Sequence, residues 1–361
     1  MHRTATIKDV AQLATVSPTT VSLVLNDVAN SRIPDATATR VRAAAAKLGY
    51  APNPLARGLR RRRTDVIALI SDTITTTPFA VRMIEAVEQV VRRNGLLLLL
   101  VNTGGDASIE RAVVSTLGRQ QIDGFLYACM HHRIVDPPEG LGTNVVLLNA
   151  RTRRGRLPAV IPDDRGGARV AVTELLDQGH RRIGFINDAH RPVAAGLRLA
   201  GYRDALKAYG VRFDRRLVLD AEPTLEGSAT AAIQLYDRIG VTALFCFNDR
   251  TAVGAYHGLR QRGYAVPADV SVVGFDDQEF VAAYAEPPLT TVALPHHAMG
   301  EWAASALIDL IAGHPVPTGV TAMPCELVRR GSVGQATGQA AKLVTGQAAI
   351  VAAIDRQVPV S

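Results

Sequence analysis

Between Ala51 and Thr64 the chain carries five arginines, Arg57, Arg60, Arg61, Arg62 and Arg63, alongside Pro52 and Pro54. Such a run is either a solvated linker or a row of phosphate contacts, and its place directly after a small helical block favours phosphates. Upstream, Ser17, Thr19, Thr20 and Ser22 set four hydroxyls around Pro18. Hydroxyls at a helix start either cap it or reach base edges and phosphates, and a threonine methyl can touch a thymine methyl. Catalytic signatures are missing: the sequence has no P-loop, no GxSxG elbow, no HExxH and no GxGxxG after a strand. Asp276 and Asp277 are neighbours in sequence, which does not place them in one site. His296 and His297 lack a partner cluster at ligand spacing and read as a helix start. Cys129, Cys246 and Cys325 form no CxxC pair and read as fillers of small apolar slots. The expectation is a binding protein, not an enzyme, with no metal and no cofactor.

These groups need elements to hold them. A length of 361 residues, 47% hydrophobic and 20% charged, suits a soluble protein of two or three domains. The net charge of +7 suits a polyanionic partner. The N-terminal MHRTATIKDV lacks the apolar core of a signal peptide, and runs such as Leu96 to Val101 are far too short for a bilayer. A cytoplasmic protein with no membrane partner is therefore expected.

Residues 1–50 read as three helices. Ile7 to Ala14 places Ile7, Val10, Ala11 and Ala14 on one face. After Thr15-Val16-Ser17, Ser17 is an N-cap, Pro18 the first helical position, and Thr19 to Asn26 a second helix. A third runs from Asp35 to Leu48, with Gly49 as its stop. The expected core is Ile7, Val10, Val21, Leu25, Val41, Ala45 and Leu48. In residues 51–64 a helix capped by Asn53 and opened by Pro54 has too few apolar residues to stand alone. From residue 65, strands at Val66–Ile70, Leu96–Val101, Gly124–Cys129 and Val145–Asn149 alternate with helices. The pattern restarts after Asp163-Asp164, with strands at Arg182–Asn187, Ala243–Phe247 and Val270–Phe275. Two such runs predict two similar lobes of parallel sheet, with a cleft at the carboxyl ends of the strands. Residues 332–361, rich in Ala, Gly and Gln, read as a frayed extension in preference to an oligomerising helix.

The stretches TIKDVAQLATVSPTTVSLVLN and RVRAAAAKLGYAPNPLARGLR resemble the lactose/galactose-repressor family of bacterial regulators. So do VIPDDRGGARVAVTELLDQGHRRIGFIND, LRLAGYRDAL, FNDRTAVGA, VSVVGFDD and PPLTTV, over about residues 6–330. The resemblance implies an N-terminal all-α helix-turn-helix headpiece (1–50), a hinge helix (51–64) and an α/β two-lobed periplasmic-binding-protein-like core (65–331). The core would have Rossmann-like lobes, the N-lobe from 65–163 plus 292–320 and the C-lobe from 164–291 plus 321–331. It also implies a homodimer on near-palindromic double-stranded operator DNA, a small-molecule effector of carbohydrate type, and a repressor. A periplasmic sugar-binding protein shares such a core but would show a signal peptide and no headpiece.

The family's DNA contacts fall on Thr6, Ser17, Pro18, Thr19, Thr20, Ser22, Asn26 and Tyr50. Asn26 suits a phosphate bond or a helix cap equally. Leu23 stands where many relatives carry an arginine, and leucine cannot grip guanine, so the preferred half-site should differ there. In the hinge, Leu59 matches the wedge that enters the minor groove, Ala56 lets two hinge helices approach, and Asn53, Arg57 and Arg60 join the DNA-binding set. On the effector side, Arg198, Asn248 and Asp276 match the family's contacts: a forked donor, a donor-acceptor and a double acceptor. Ser71, Thr75 and Phe79 would supply the opposite wall, with Phe79 stacking a sugar ring or filling core. Asp249 is expected to cap the following helix, and Leu294, where many relatives have glutamine, gives up a hydrogen bond to the ligand.

Overall fold

In the computed structural model residues 5–26, 32–50, 63–74 and 80–336 are described. The chain divides into two compact units, residues 1–66 with 119–123, and the remainder. Each is described by itself.

The first unit holds three helices. In α1 (Ile7–Ala14), Thr6 and Asp9 form a capping box, the Thr6 N–H donating to the Asp9 carboxylate at 2.7 Å. Thr15 ends the helix in the left-handed conformation, and Val16 N–H bonds back to Ala11 O at 3.0 Å. Helix α2 (Pro18–Leu25) starts as the sequence dictates, with the Ser17 hydroxyl accepting from Thr20 N–H at 3.1 Å. Helix α3 (Asp35–Leu48) stops at Gly49, whose φ of +59° is left-handed. Val10, Ala11, Ala14, Val21, Val24, Val41, Ala44 and Ala45 form the core. Leu48 was expected in it but is 36% exposed. It lies one turn past Ala45, and the Gly49 turn brings Tyr50 back onto the core edge, with Tyr50 N–H on Ala45 O at 2.9 Å.

The second unit contains two six-stranded sheets. The first lobe follows β1 (Val66–Ser71), α4 (Val81–Arg93), β2 (Leu97–Asn102), α5 (Ala107–Arg119), β3 (Gly124–Ile134), β4 (Val145–Arg151) and β5 (Pro158–Pro162). The second follows α6 (Asp164–Asp177), β6 (Ile183–Asp188), α7 (Val193–Ala208), β7 (Val218–Ala221), α8 (Leu225–Ile233), β8 (Ala243–Cys246), α9 (Asp249–Gln261), β9 (Ser271–Asp276) and β10 (Thr290–Ala293). The chain then returns to the first lobe as α10 (His296–Ala312) and β11 (Gly319–Met323), and ends in the second as β12 (Glu326–Val328).

Strand orders are β11-β5-β4-β3-β1-β2 and β12-β10-β9-β8-β6-β7. Within each, the first strand of the lobe sits between the second and third, so β1/β3 and β6/β8 are the switch points where ligands of such sheets bind. β12 runs antiparallel to β10. The first core packs Ile67, Leu69, Met83, Val87, Leu126 and Leu148 against Met299, Ala303 and Leu307 of α10. The second fills both faces of its sheet, one around Phe185, Tyr202 and Phe245, the other around Leu244, Leu259 and Val272.

Several boundaries differ from the sequence reading, among them the return to the first lobe, which follows Ala293 and not residue 291 because β10 pairs with β9 through Ala293↔Asp276. The last crossing between lobes falls after Met323, not at 320/321, because β11 pairs with β5 through Met323↔Pro162. Order continues past 331: Ser332 is fully buried, with its hydroxyl on Val272 O at 2.6 Å, and Ala336 N–H bonds Gln178 O at 2.8 Å. β3 runs on to Ile134 beyond Cys129, with a register shift between Ala128 and Arg133 where its polar end begins. β2 is an edge strand with Leu97, Leu99 and Leu100 exposed.

Candidate functional site

Ser17, Pro18 and Thr19 stand exposed at the positive end of α2, with Thr20 and Ser22 half-buried behind them. Thr20 spends its hydroxyl on Ser17 at 2.9 Å. Asn26 serves the helix: its side-chain amide donates to Ser22 O at 2.7 Å. Thr6 is held in its capping box, and Tyr50 rests half-buried on the headpiece core. Lys8, Arg32, Arg40, Arg42 and Lys47 are exposed on the same unit. The helix that presents the hydroxyls is thus pinned by its own cap and by the buried Val21 and Val24. Asn53, Ala56, Arg57, Leu59 and Arg60, like Thr75 and Phe79, lie outside the described residues.

In the second unit a cleft of about 230 Å³ opens between the lobes at the strand ends. Arg198, Asn248 and Asp276 all line it, so the structure brings these three together. Arg198 comes from α7 and is 4% exposed. Its Nε donates to Asp164 Oδ1 at 3.0 Å, its Nη1 donates to Phe247 O, and its Nη2 lies 3.5 Å from Asp276 Oδ1. The guanidinium also lies over the rings of Phe247 and Phe275. Burial pushes the Asp164 carboxyl up, but Arg198 and the His132 hydrogen bond outweigh this and hold it below its usual range. Asp276 ends β9 at φ +109°. Burial raises its carboxyl to about 6, with Arg198 opposing only in part.

Asn248, not Asp249, caps α9: its Oδ1 accepts from Thr251 N–H and hydroxyl, each at 2.9 Å. Asp249 is fully buried behind the site, accepting from Thr291 Oγ1 at 2.5 Å and Gln278 N–H at 2.7 Å. Burial, reinforced by the Asp276 charge, raises its carboxyl well above normal. Ser71 ends β1, buried, with its hydroxyl on Asp72 at 3.2 Å, and is not part of the cleft lining. Leu294 lines the cleft, and α10 begins at His296 as the helix-start reading expects.

The cleft also holds residues absent from the sequence-derived set: His131, His132, Asn149, Asp164, Asp188 and Arg250. Asn149 and Asp188 lie at the carboxyl ends of β4 and β6, so the strand-end rule could have found them. His131 and His132 lie in the polar extension of β3, which no hydrophobic pattern marks. Among the described residues no group of His, Cys, Asp and Glu could hold a metal ion, and no helix is long and apolar enough to cross a membrane.

Comparison with known proteins agrees with this architecture. Residues 6–53 match the model for bacterial regulatory proteins of the lacI family, and residues 172–333 match that for a periplasmic binding protein-like domain. The HTH-type transcriptional regulator GalR of Escherichia coli (strain K12) is 35% identical over 336 residues, covering 91% of this chain and 96% of that one. A solved complex of the transcriptional regulator CelR with cellobiose is 32% identical, with TM-score 0.65, over 91% of this chain and 99% of the other. The lac repressor dimer bound to operator and the anti-inducer ONPF is 25% identical, with TM-score 0.77, over 92% and 100%. With its helix-turn-helix, its twin α/β lobes and these relatives along nearly its whole length, the chain belongs to the lacI family of bacterial regulatory proteins: it is a DNA-binding transcription regulator and not an enzyme.

Proposed function

We propose that the protein is a cytoplasmic homodimeric repressor that binds a near-palindromic operator and loosens or tightens its grip when a sugar-type molecule enters the cleft. The carrying observation is the convergence of Arg198, Asn248 and Asp276 on one cleft at the strand ends of two like lobes. A buried fork donor beside an acceptor that takes two hydroxyls is a set that orients a polyol. The cellobiose held by CelR and the operator-bound lac repressor dimer support the two halves of this reading. Val81, Leu97 and Leu100 on one lobe, and Phe280 and Tyr284 on the other, are exposed apolar side chains of the kind that a second copy covers.

On this reading Ser17, Pro18, Thr19, Thr20 and Ser22 meet the major groove, with Thr6, Asn26 and Tyr50 beside the backbone. Asn53, Ala56, Arg57, Leu59 and Arg60 form a hinge ordered on the minor groove. Thr75 and Phe79 belong to the far wall of the effector site. Division into headpiece (1–50), hinge (51–64), a two-lobed core that runs on to 336, and a tail after it follows. The effector acts only through its differential affinity for two lobe arrangements. The test is duplex binding by the full chain, with a panel of sugars present or absent. A preferred duplex whose affinity moves with one sugar is expected; equal binding to all duplexes would defeat the reading.

A further inference from the structure

The wall of the cleft built from the first lobe has two polar atoms with no protein partner. His132, its side chain 2% exposed, is fixed by Nδ1 on Asp164 Oδ2 at 3.1 Å, while its Nε2 is buried without a hydrogen-bond partner. Asn149, 3% exposed, donates Nδ2 to Cys129 O and Met130 O, each at 3.1 Å, while its Oδ1 is buried and unpartnered. Both residues line the same cleft as Arg198 and Asp276. Leaving such an atom unsatisfied is costly unless something arrives to meet it.

The polarity of both atoms follows from their fixed sides. Asp164, held ionised by Arg198, accepts the Nδ1 proton, and the tautomer that this contact selects carries its lone pair on Nε2. The Asn149 amide has its NH2 committed to two carbonyls, so its oxygen faces away from them as an acceptor. Asp188 and Asp276 add carboxylates to the lining. Against these acceptors stand two cations. Arg198 is already committed to Asp164 and Phe247 O, which leaves Arg250, exposed, as the cation to meet an incoming anion.

We propose that His132 Nε2 and Asn149 Oδ1 are specificity-determining acceptors for an uncharged, hydroxyl-rich ligand, and that the cleft rejects the same sugar carrying a phosphate or carboxylate. The inference rests on the sugar-effector reading and narrows it. Two ligand hydroxyls donate to the first-lobe wall while others engage Arg198 and Asp276, so recognition is divided between lobes. An anionic substituent meets three carboxylates, Asp164, Asp188 and Asp276, against two arginines, of which Arg198 is already paired with Asp164 and Arg250 is the exposed one.

The test uses the full chain and matched probes: galactose, glucose and ribose against galactose 6-phosphate, glucose 6-phosphate, ribose 5-phosphate and galacturonate, by thermal shift and then calorimetry. Binding should be confined to neutral members, and adding the charge to the sugar that binds should weaken it at least tenfold. His132→Leu should weaken that sugar at least tenfold while operator binding persists, and His132→Gln, which keeps a donor and an acceptor, should stay within about threefold of the native affinity. A phosphorylated or carboxylated probe that binds as tightly as its neutral partner, or a His132→Leu protein of native sugar affinity, overturns the proposal and leaves the sugar reading standing. If no probe of either kind binds while the operator is still bound, both fall together. The charge comparison needs no variant, so it decides even if His132→Leu fails to fold.

Discussion

The Arg198 guanidinium lies 3.7 Å from the centre of the Phe275 ring while its edge grips Asp164 at 3.0 Å. Phe275 closes one side of the guanidinium plane, and Asp164 and Phe247 O take part of its donor set, so this cation is structural before any ligand arrives. Removing it strands a buried carboxylate. Arg198→Ala should lose about 3–5 kcal/mol of stability in urea unfolding, as expected when one partner of a buried ion pair is deleted. A loss below about 1 kcal/mol would mean that water reaches Asp164 freely.

On the proposed reading, Asp276 makes effector binding depend on pH. Its folded carboxyl is raised to about 6 from an ordinary 3.8. Protonation turns one of its two acceptor oxygens into a donor, so sugar affinity should fall as pH drops below 6, by up to about tenfold per unit, and be flat above it. In the ligand-free protein the sign reverses: stability from this group is complete below about 3.8 and is lost as pH rises through about 6. Calorimetry between pH 5 and 8 reads the first effect, and Asp276→Asn should remove the slope along with much of the affinity.

In the headpiece, capping and reading separate by position. Ser17→Ala removes the α2 cap and should cost about 1 kcal/mol of headpiece stability. Thr19, exposed and free of capping duty, should tolerate alanine within about 0.5 kcal/mol yet change the preferred duplex. Equal duplex selection by Thr19→Ala and native protein would remove Thr19 from the reading set. Lost Arg57 or Arg60 contacts should each reduce the salt slope of duplex binding by about one ion.

Two glycines offer a packing test in opposite directions. A Cβ on Gly300 of α10 would lie 2.4 Å from Met83 O of α4, so Gly300→Ala should force these helices apart and cost about 1–3 kcal/mol. Gly196 in α7 has open space around it, and Gly196→Ala should stabilise by about 0.5–1 kcal/mol. Urea midpoints moving in the same direction would contradict the packing.

Headpiece and lobes were legible because their signals are local. Ser17-Pro18, Gly49 and the β-α alternation each rest on neighbours in sequence, and the elements begin and end within a few residues of those marks. Leu48 failed because periodicity says which face a residue takes and not how far the core extends. The cleft was only half legible. Arg198, Asn248 and Asp276 lie in recognisable stretches, whereas His132 and Asn149 meet them through a fold that joins β3 and β4 to α6 and α7. The cap expected of Asp249 fell to Asn248, because a single-residue shift of a helix start decides which side chain caps it and which is buried behind.

The late return of the chain to the first lobe bears on how the protein is made. β11 completes a sheet whose other strands were synthesised more than 150 residues earlier, and α10 completes the core packed on it. Until Met323 leaves the ribosome, β5 has no β11 beside it and Met83 no Met299 to pack on. A stop codon anywhere before Gly319 therefore removes an edge strand from each sheet at once, β11 from the first and β12 from the second.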